Sequence, residues 1–330
     1  MKTVAIIAIV ATLGAIFYAS LNTTSDADEH FHNFIAQYGR NYASQDEYNM
    51  RKEIFNKQLE NVQKHNAKGL SWTIGINKFS DWTDQEYSRL LGLKNSAGQN
   101  TDLPVFKSNL KKTDKNDASI DYRNTGYVGP VKNQGACGSC WAFSATQAAE
   151  AAYFKKYQEE VILSESHVVD CDWFSHGCNG GLQENAFIHW MRFGPIYESN
   201  YPYVPEDRKC QEEVDGAGIP ADLPELPIAY RVDVGDDLLY EALTFAPVAI
   251  SIRAENDAFR QYTGGIIDGD ACGTYIDHAV LLVGYDSAEN YWIVKNSWGP
   301  NWGEEGYVRI KRRGGKGICG INQQNSLPIY

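Results

Sequence analysis

Two cysteines separated by two residues stand out, in Gln134-Gly135-Ala136-Cys137-Gly138-Ser139-Cys140-Trp141. Three chemistries use such a pair. A zinc half-site would need a second Cys/His pair of similar spacing, and none is present. A thioredoxin-like redox pair would need a parallel strand unit in front of it, which is missing. The third is a structural cysteine, Cys137, beside a reactive one, Cys140, at the start of a helix. A helix N-terminus carries about half a positive charge, which favours thiolate over thiol and so would activate Cys140 as a nucleophile.

A nucleophile of this kind needs a base. Among seven histidines the best placed is His278, in Ile276-Asp277-His278-Ala279-Val280, where an apolar strand begins and a rigid backbone can hold the ring. A lone histidine is more often structural than catalytic, but Asn296 strengthens the case. In Lys295-Asn296-Ser297-Trp298-Gly299 an amide oxygen can accept from one imidazole nitrogen and fix its tautomer, while Trp298 shields that bond from water. The side-chain NH₂ of Gln134 and the backbone N–H of Cys140 are two donors for an oxyanion, each worth about 3 kcal/mol in a formed site.

These residues need elements to hold them, and the composition limits the choices. The chain has 330 residues, 43% of them hydrophobic and 22% charged, which excludes disorder, collagen and a multi-pass membrane protein. A net charge of −12 argues against a nucleic-acid partner, since phosphates attract a basic face. Seven cysteines leave one thiol over if the rest pair. Lys2 followed by the apolar run Val4 to Ala19 predicts a signal peptide over 1–20 and a secretory route that permits disulfides. Phe17 and Tyr18 are poor cleavage-site residues, so an uncleaved anchor is the alternative; Asn22-Thr23-Thr24 is a glycosylation sequon.

Charge divides the chain in two. Residues 1–116 carry a net charge of +2 and residues 117–330 a net charge of −14, and all seven cysteines lie in the second part. The first part reads as helical, with Phe31, Phe34, Ile35 and Tyr38, then Phe55, Leu59 and Val62, at helical spacing, and Glu47 one turn before Arg51. Residues 92–118 read as an exposed linker. In the second part Cys140 to Tyr157 predicts a buried helix. Val248 to Ile252, Ala279 to Gly284, Tyr291 to Val294 and Tyr307 to Lys311 predict strands. Helices first and strands second predict an α+β fold in two lobes.

The order Gln134, Cys140, His278, Asn296, with Gly177-Cys178-Asn179-Gly180-Gly181 between, resembles the papain-like cysteine proteases of the cathepsin L type. The first part is similar to their propeptides: Glu47, Arg51, Phe55 and Asn66 keep the helical pattern, Gln58 and Val62 depart from it, and Gly75, Asn77, Phe79 and Asp81 complete a second motif. The resemblance implies a propeptide over 21–116 that runs through the cleft in the non-productive direction, a peptidase domain over 117–330, and a helical lobe facing a β-barrel-like lobe. It implies the disulfides Cys137–Cys178, Cys171–Cys210 and Cys272–Cys319, leaving Cys140 free. Gly180 and Gly181 would pair with an extended peptide. Leu182, Gln183, Ser251 and Ile276, with Gln324 at the base, would line the pocket for the P2 side chain; Trp298 would flank the cleft. Gln324 stands where relatives carry a small or apolar residue, which puts the usual Leu or Phe preference in doubt.

No occluding loop separates Cys178 from Cys210, which favours an endopeptidase. No cofactor or metal is expected. Partners would be polypeptide substrates, the chain's own propeptide and cystatin-like inhibitors, acting on a monomer in a lysosome-like vacuole or outside the cell. A silent binding or storage homologue, and a metal or redox protein built on Cys137 and Cys140, are the competing classes. The opposite charges of the two parts predict latency at neutral pH, relieved when acid protonates carboxylates on the enzyme side.

Overall fold

The structure, a computed structural model, describes residues 27–94, 103–107, 118–211 and 228–330. The N-terminal apolar run and the Asn22 sequon lie outside the described residues, and among these no helix is long and apolar enough to cross a membrane.

The first part is a helical unit with a short strand. Helix α1 spans 27–38 and α2 spans Gln45–Asn66. The two lock through Phe31, Phe34 and Phe55, all buried, with ring centroids 4.9–6.2 Å apart. The α2 start is fixed by Ser44, whose hydroxyl accepts from the Glu47 N–H at 3.1 Å. Acidic residues occupy its first turn and Lys64 and His65 its last, matching the helix dipole. Arg51 does reach Glu47, at 3.5 Å, but its stronger partner is Glu86, held by two bonds of 2.5 and 2.7 Å. Glu86 also closes a capping box with Thr83 at the start of α3 (Asp84–Ser88), so one carboxylate ties α2 to α3.

The second part opens with helix α4 (Cys140–Tyr157), followed by α5 (Glu165–Cys171) and α6 (Gln183–Phe193). From Cys140 to Tyr153 every residue of α4 is buried; its alanines let neighbours approach on all sides. The strands are β1 (Trp72–Ile74), β2 (Ile120–Asp121), β3 (Ile228–Val232), β4 (Val248–Ile252), β5 (Tyr262–Ile267), β6 (His278–Asp286), β7 (Tyr291–Lys295), β8 (Tyr307–Lys311) and β9 (Asn325–Ile329). Their order is β1-β5-β8-β7-β6-β4-β9-β3, antiparallel except for β5–β8, with β2 paired to β6. Strands β4 and β6, buried almost throughout, read as continuous apolar runs because α4 covers them, and Ser144 of α4 bonds Val280 O at 2.7 Å. Cys137–Cys178, Cys171–Cys210 and Cys272–Cys319 are bonded, and Cys140 is free.

Two features depart from the expectation of an exposed linker and a separate helical unit. Strand β1 belongs to the first part yet pairs with β5 of the second, so the first part extends the sheet of the second. Within 92–118, Leu93, Leu103 and Phe106 are buried. Apolar side chains scattered in a polar run look like linker by composition, but each finds a seat on the second part.

The Phe31–Phe34–Phe55 cluster leads to a stability prediction. Phe55→Ala leaves a cavity where a fully buried ring stood and should cost about 3–5 kcal/mol. Urea unfolding of the whole chain should then show an earlier first transition; an unchanged profile would deny the cluster its role.

Candidate active site

Cys140 is the first residue of α4 and is fully buried. Ahead of it other backbone crowds Gly138, where an added Cβ would lie 2.5 Å from Cys178 O and 2.8 Å from Arg89 O. Facing it is β6. Cys140 packs with Ala279, the residue after His278, and with Leu182, Ile276 and Leu93.

His278 opens β6, opposite Ile252 of β4, and its ring is buried. Its Nε2 lies 2.9 Å from Asn296 Oδ1, which also accepts the Ser297 N–H at 2.8 Å. Two donors converging on one atom identify it as the amide oxygen. An amide oxygen only accepts, so the neutral ring carries its proton on Nε2 and leaves a lone pair on Nδ1. That Nδ1 is buried without a hydrogen-bond partner. The Trp298 indole covers the pair, 4.9 Å from the imidazole centroid.

Gln134 is also buried, with both ends of its amide in use. Its Oε1 accepts from Ser297 Oγ at 2.7 Å and from Trp298 Nε1 at 3.1 Å. Those bonds turn the NH₂ outward, where it donates to Cys137 O at 2.8 Å and to Leu90 O at 2.9 Å. A carbonyl of the first part thus occupies the donor that the sequence reading reserved for an oxyanion. Ser297, which aims this amide, was missed from sequence; its place beside Asn296 was the available signal.

Residues 89–94 fill the cleft. An added Cβ at Gly92 would stand 1.7 Å from Gly138 O, so the crossing admits only glycine. Gly181 N donates to Gly92 O at 2.8 Å, Lys94 N donates to Gly181 O at 3.1 Å, and Leu93 N donates to Asp277 O at 3.1 Å. The pairing of Leu93 with Gly181 is parallel. Gly180 lies beneath the same segment, its hypothetical Cβ 2.4 Å from Gly92 O. Behind this segment Phe79 and Tyr87 stand edge-on to Trp298 at 5.1 and 5.7 Å, and Lys78 Nζ donates to Trp298 O at 2.7 Å.

The residues expected around the P2 pocket divide into two sets. Leu182 and Ile276 surround Leu93 with Ala279. Gln183 and Ser251 are linked at 3.0 Å, and Gln183 also reaches Gln324 O at 3.4 Å. The amide of Gln324 donates to Glu184 at 3.2 and 3.3 Å, and Ser326 donates to the same carboxylate at 2.9 Å. Glu184 was missed from sequence. Burial raises its pKa, so it is a carboxylate that needs the donors it has.

Burial also sets the charge state of the central pair. It pushes the Cys140 thiol up to about 11, against the pull of the Ala279, Gly92 and Trp141 backbone groups. It pushes His278 down to about 4, and the Asn296 bond only partly offsets this. Between those values both groups are neutral. The helix N-terminus therefore does not make a thiolate here, because the segment over it removes the water that would help stabilise one.

Comparison with known proteins follows the same division. A model described as Papain family cysteine protease matches residues 116–329, and one described as Cathepsin propeptide inhibitor domain (I29) matches 31–87. The Cathepsin L-like proteinase of Fasciola hepatica is 36% identical over 316 residues, covering 92% of this chain and 93% of its own. Thiol protease aleurain of Arabidopsis thaliana is 36% identical over 307 residues, covering 91% and 83%. Among solved structures, digestive procathepsin L2 proteinase from Tenebrio molitor larval midgut superposes with a TM-score of 0.83 at 34% identity, covering 92% of this chain and 100% of that one.

The neutral pair has a measurable consequence. Iodoacetamide should leave Cys140 of the intact chain almost unmodified from pH 5 to pH 8, while the same chain cleaved within 95–117 reacts rapidly. Fast alkylation of the intact chain at pH 6 would show that the thiol is neither covered nor neutral.

Proposed function

The chain belongs to the papain family of cysteine proteases, and from that premise we propose that Cys140 is its nucleophile, His278 its general base and acid, Asn296 the orienting group and Gln134 an oxyanion donor. The observation that carries this reading is His278 held through Nε2 by Asn296, with its free Nδ1 on the strand that packs against Cys140. The chain is a cysteine-type endopeptidase made with an inhibitory propeptide.

In the opened enzyme Cys140 Sγ attacks the scissile carbonyl carbon as its proton passes to His278 Nδ1. The oxyanion takes the donors of Gln134 Nε2 and Cys140 N. His278 returns the proton to the leaving amine, giving a thioester; water, deprotonated by the same nitrogen, then releases the acid and the thiol. Gly180 and Gly181 present backbone to an extended substrate. Leu182, Ile276, Ser251, Gln183 and Gln324 form the P2 pocket. The seat of Leu93 supports Leu or Phe at P2, with the polar side of the pocket satisfied internally by Glu184.

We assign residues 1–20 to a signal peptide, 21–116 to the propeptide and 117–330 to the peptidase. Support for the last boundary comes from Tyr240, whose hydroxyl bonds Ala118 O at 3.0 Å, and from β2, which pairs with β6. A secretory destination, either a lysosome-like vacuole or the exterior, and a monomer open to cystatin-like inhibitors complete the reading.

Acid activation has a different physical source from the one the charge split suggests. The ion pair that crosses between the two parts, among the described residues, runs from Arg260 of the enzyme to Asp84 of the propeptide, at 3.1 Å. Asp277 and Asp81, whose pKa values burial raises, hold protons more readily in the closed state, so their titration does not drive opening. Glu86, held near 2 by Arg51, releases its contribution only at lower pH. His278 has the required sign. The closed state keeps it neutral down to about 4, while a solvated imidazole protonates near 6.5. Acidification between those values favours opening by up to about 3 kcal/mol.

Two experiments test these assignments. His278→Ala in the processed enzyme should lower kcat by about 10²–10⁴-fold, and Gln134→Ala by about 10²–10³-fold; kcat within a factor of about three of wild type would remove either residue from its role. In a Cys140→Ala precursor, proteolytic opening of 89–94 should rise about 100-fold from pH 7 to pH 4. Adding His278→Gln should abolish most of that rise, and an identical pH dependence in the two precursors would reject the histidine trigger.

A further inference from the structure

Residues 103–107 lie along the outer edge of β3, joined to it by a single bridge. Arg231 N donates to Pro104 O at 2.9 Å and Phe106 N donates to Arg231 O at 2.8 Å, so Val105 and Arg231 form a parallel bridge. Pro104 loses nothing by lacking an N–H, because only its carbonyl is used. The side chains on either side are sunk into the enzyme. Leu103 joins the apolar cluster that contains Tyr153, Ala229 and Trp190. Phe106 joins the one that contains Val232, Leu239 and Tyr240 and meets the Phe245 ring edge-on at 5.4 Å. The opposite edge of β3 is paired with β9 along all five residues, so among the described residues this edge ends the sheet.

We propose that the processed enzyme carries a second peptide-binding site on the edge of β3, uncovered when the propeptide leaves, which captures extended substrate polypeptides bearing two bulky apolar residues three positions apart. This rests on the reading that the chain is cut between 107 and 118. Removal of 103–107 exposes the N–H and C=O of Arg231 together with two apolar seats, beside an Ile228 that is already half exposed. An unpaired edge of this kind is a template for another strand. Backbone pairing tolerates many sequences, and the two seats select for spacing and size.

Leu93 sits in the catalytic cleft and Leu103 at the β3 edge, so ten residues of one polypeptide reach from one site to the other. An unfolded substrate of ordinary length can do the same. Engaging the edge would then raise its effective concentration at Cys140, an advantage that a two- or three-residue substrate cannot share.

The test uses acid-processed enzyme. An epoxide inhibitor first labels Cys140, which fills the cleft and reports separately on the catalytic assignment. A fluorescent decapeptide of residues 101–110, Thr-Asp-Leu-Pro-Val-Phe-Lys-Ser-Asn-Leu, is then titrated and followed by anisotropy. Saturable binding is expected, weakened about tenfold by Leu103→Ala or Phe106→Ala in the peptide. With unlabelled enzyme the peptide should slow cleavage of a denatured protein by about threefold and leave a blocked dipeptide substrate unaffected. No saturable binding, equal binding of the substituted peptides, or equal inhibition of both substrates would overturn the proposal. So would an enzyme dimer that the peptide dissociates, since the edge would then belong to a second copy.

Discussion

The structure depends on keeping two polar, potentially charged side chains in a space without water. Cys140 and His278 are buried as a thiol and a neutral imidazole. A buried ion pair survives only when its desolvation is repaid by good geometry and further hydrogen bonds. Here burial outweighs the pull of the Ala279, Gly92 and Trp141 backbone groups on the thiol, and one imidazole nitrogen has no partner at all. The closed state therefore selects the uncharged pair. Cys140 is thus closed off in two ways: it is covered, and it is held as the neutral thiol.

Covering that pair required partners for backbone groups brought into the cleft, because an unpaired buried amide is costly. Residues 90–94 meet the requirement with Gln134, Asp277 and Gly181. The glycines at 92 and 138 let the two backbones cross at contact distance. The register is then held from outside the cleft. Trp298 lies between His278 on one side and Phe79 and Tyr87 on the other, so the aromatic that shields the His278–Asn296 bond is also where the propeptide grips. Arg260 fixes the same region by donating to Phe79 O and Trp82 O while pairing with Asp84. Strand β1 adds a backbone ladder to β5.

Much of this was legible in the sequence because it was local. The segment from Cys137 to Trp141, the apolar run that makes α4, and the strands β4, β6, β7 and β8 each carry their own pattern, whereas β5 was not read. The helical spacing of Phe31, Phe34 and Phe55 likewise specifies the faces of α1 and α2. What could not be read depends on partners far along the chain. A three-residue strand such as β1 has no signal of its own, and its partner lies 190 residues away at Thr73–Thr263. Leu93, Leu103 and Phe106 sit in a polar stretch whose composition describes an unbound linker. The charge state of Cys140 in the covered form could not be read for a related reason. Helix position is a local feature, whereas desolvation depends on what covers the helix end. Glu184 shows the same limit: its neighbour Gln183 was recognised, but the contact with Gln324 crosses 140 residues.

The inhibitory segment and a substrate make similar demands on the enzyme. The inhibitory segment presents backbone to Gly181, places Leu93 among Leu182, Ile276 and Ala279, and brings a carbonyl to Gln134; on the proposed assignments a substrate would do the same. What differs is which carbonyl arrives and where the adjacent bond lies. Leu90 O takes the Gln134 donor, while the pairing of Leu93 with Gly181 runs parallel. An inhibitor built from the same contacts as a substrate inherits the affinity of the cleft without new binding chemistry. Its security then rests on direction and on anchoring beyond the cleft, through β1, the aromatic grip on Trp298 and the segment on β3. Release must consequently undo those outer contacts as well. On the proposed histidine trigger, a single protonation at His278 would loosen the centre, and chain cleavage would make the loosening permanent.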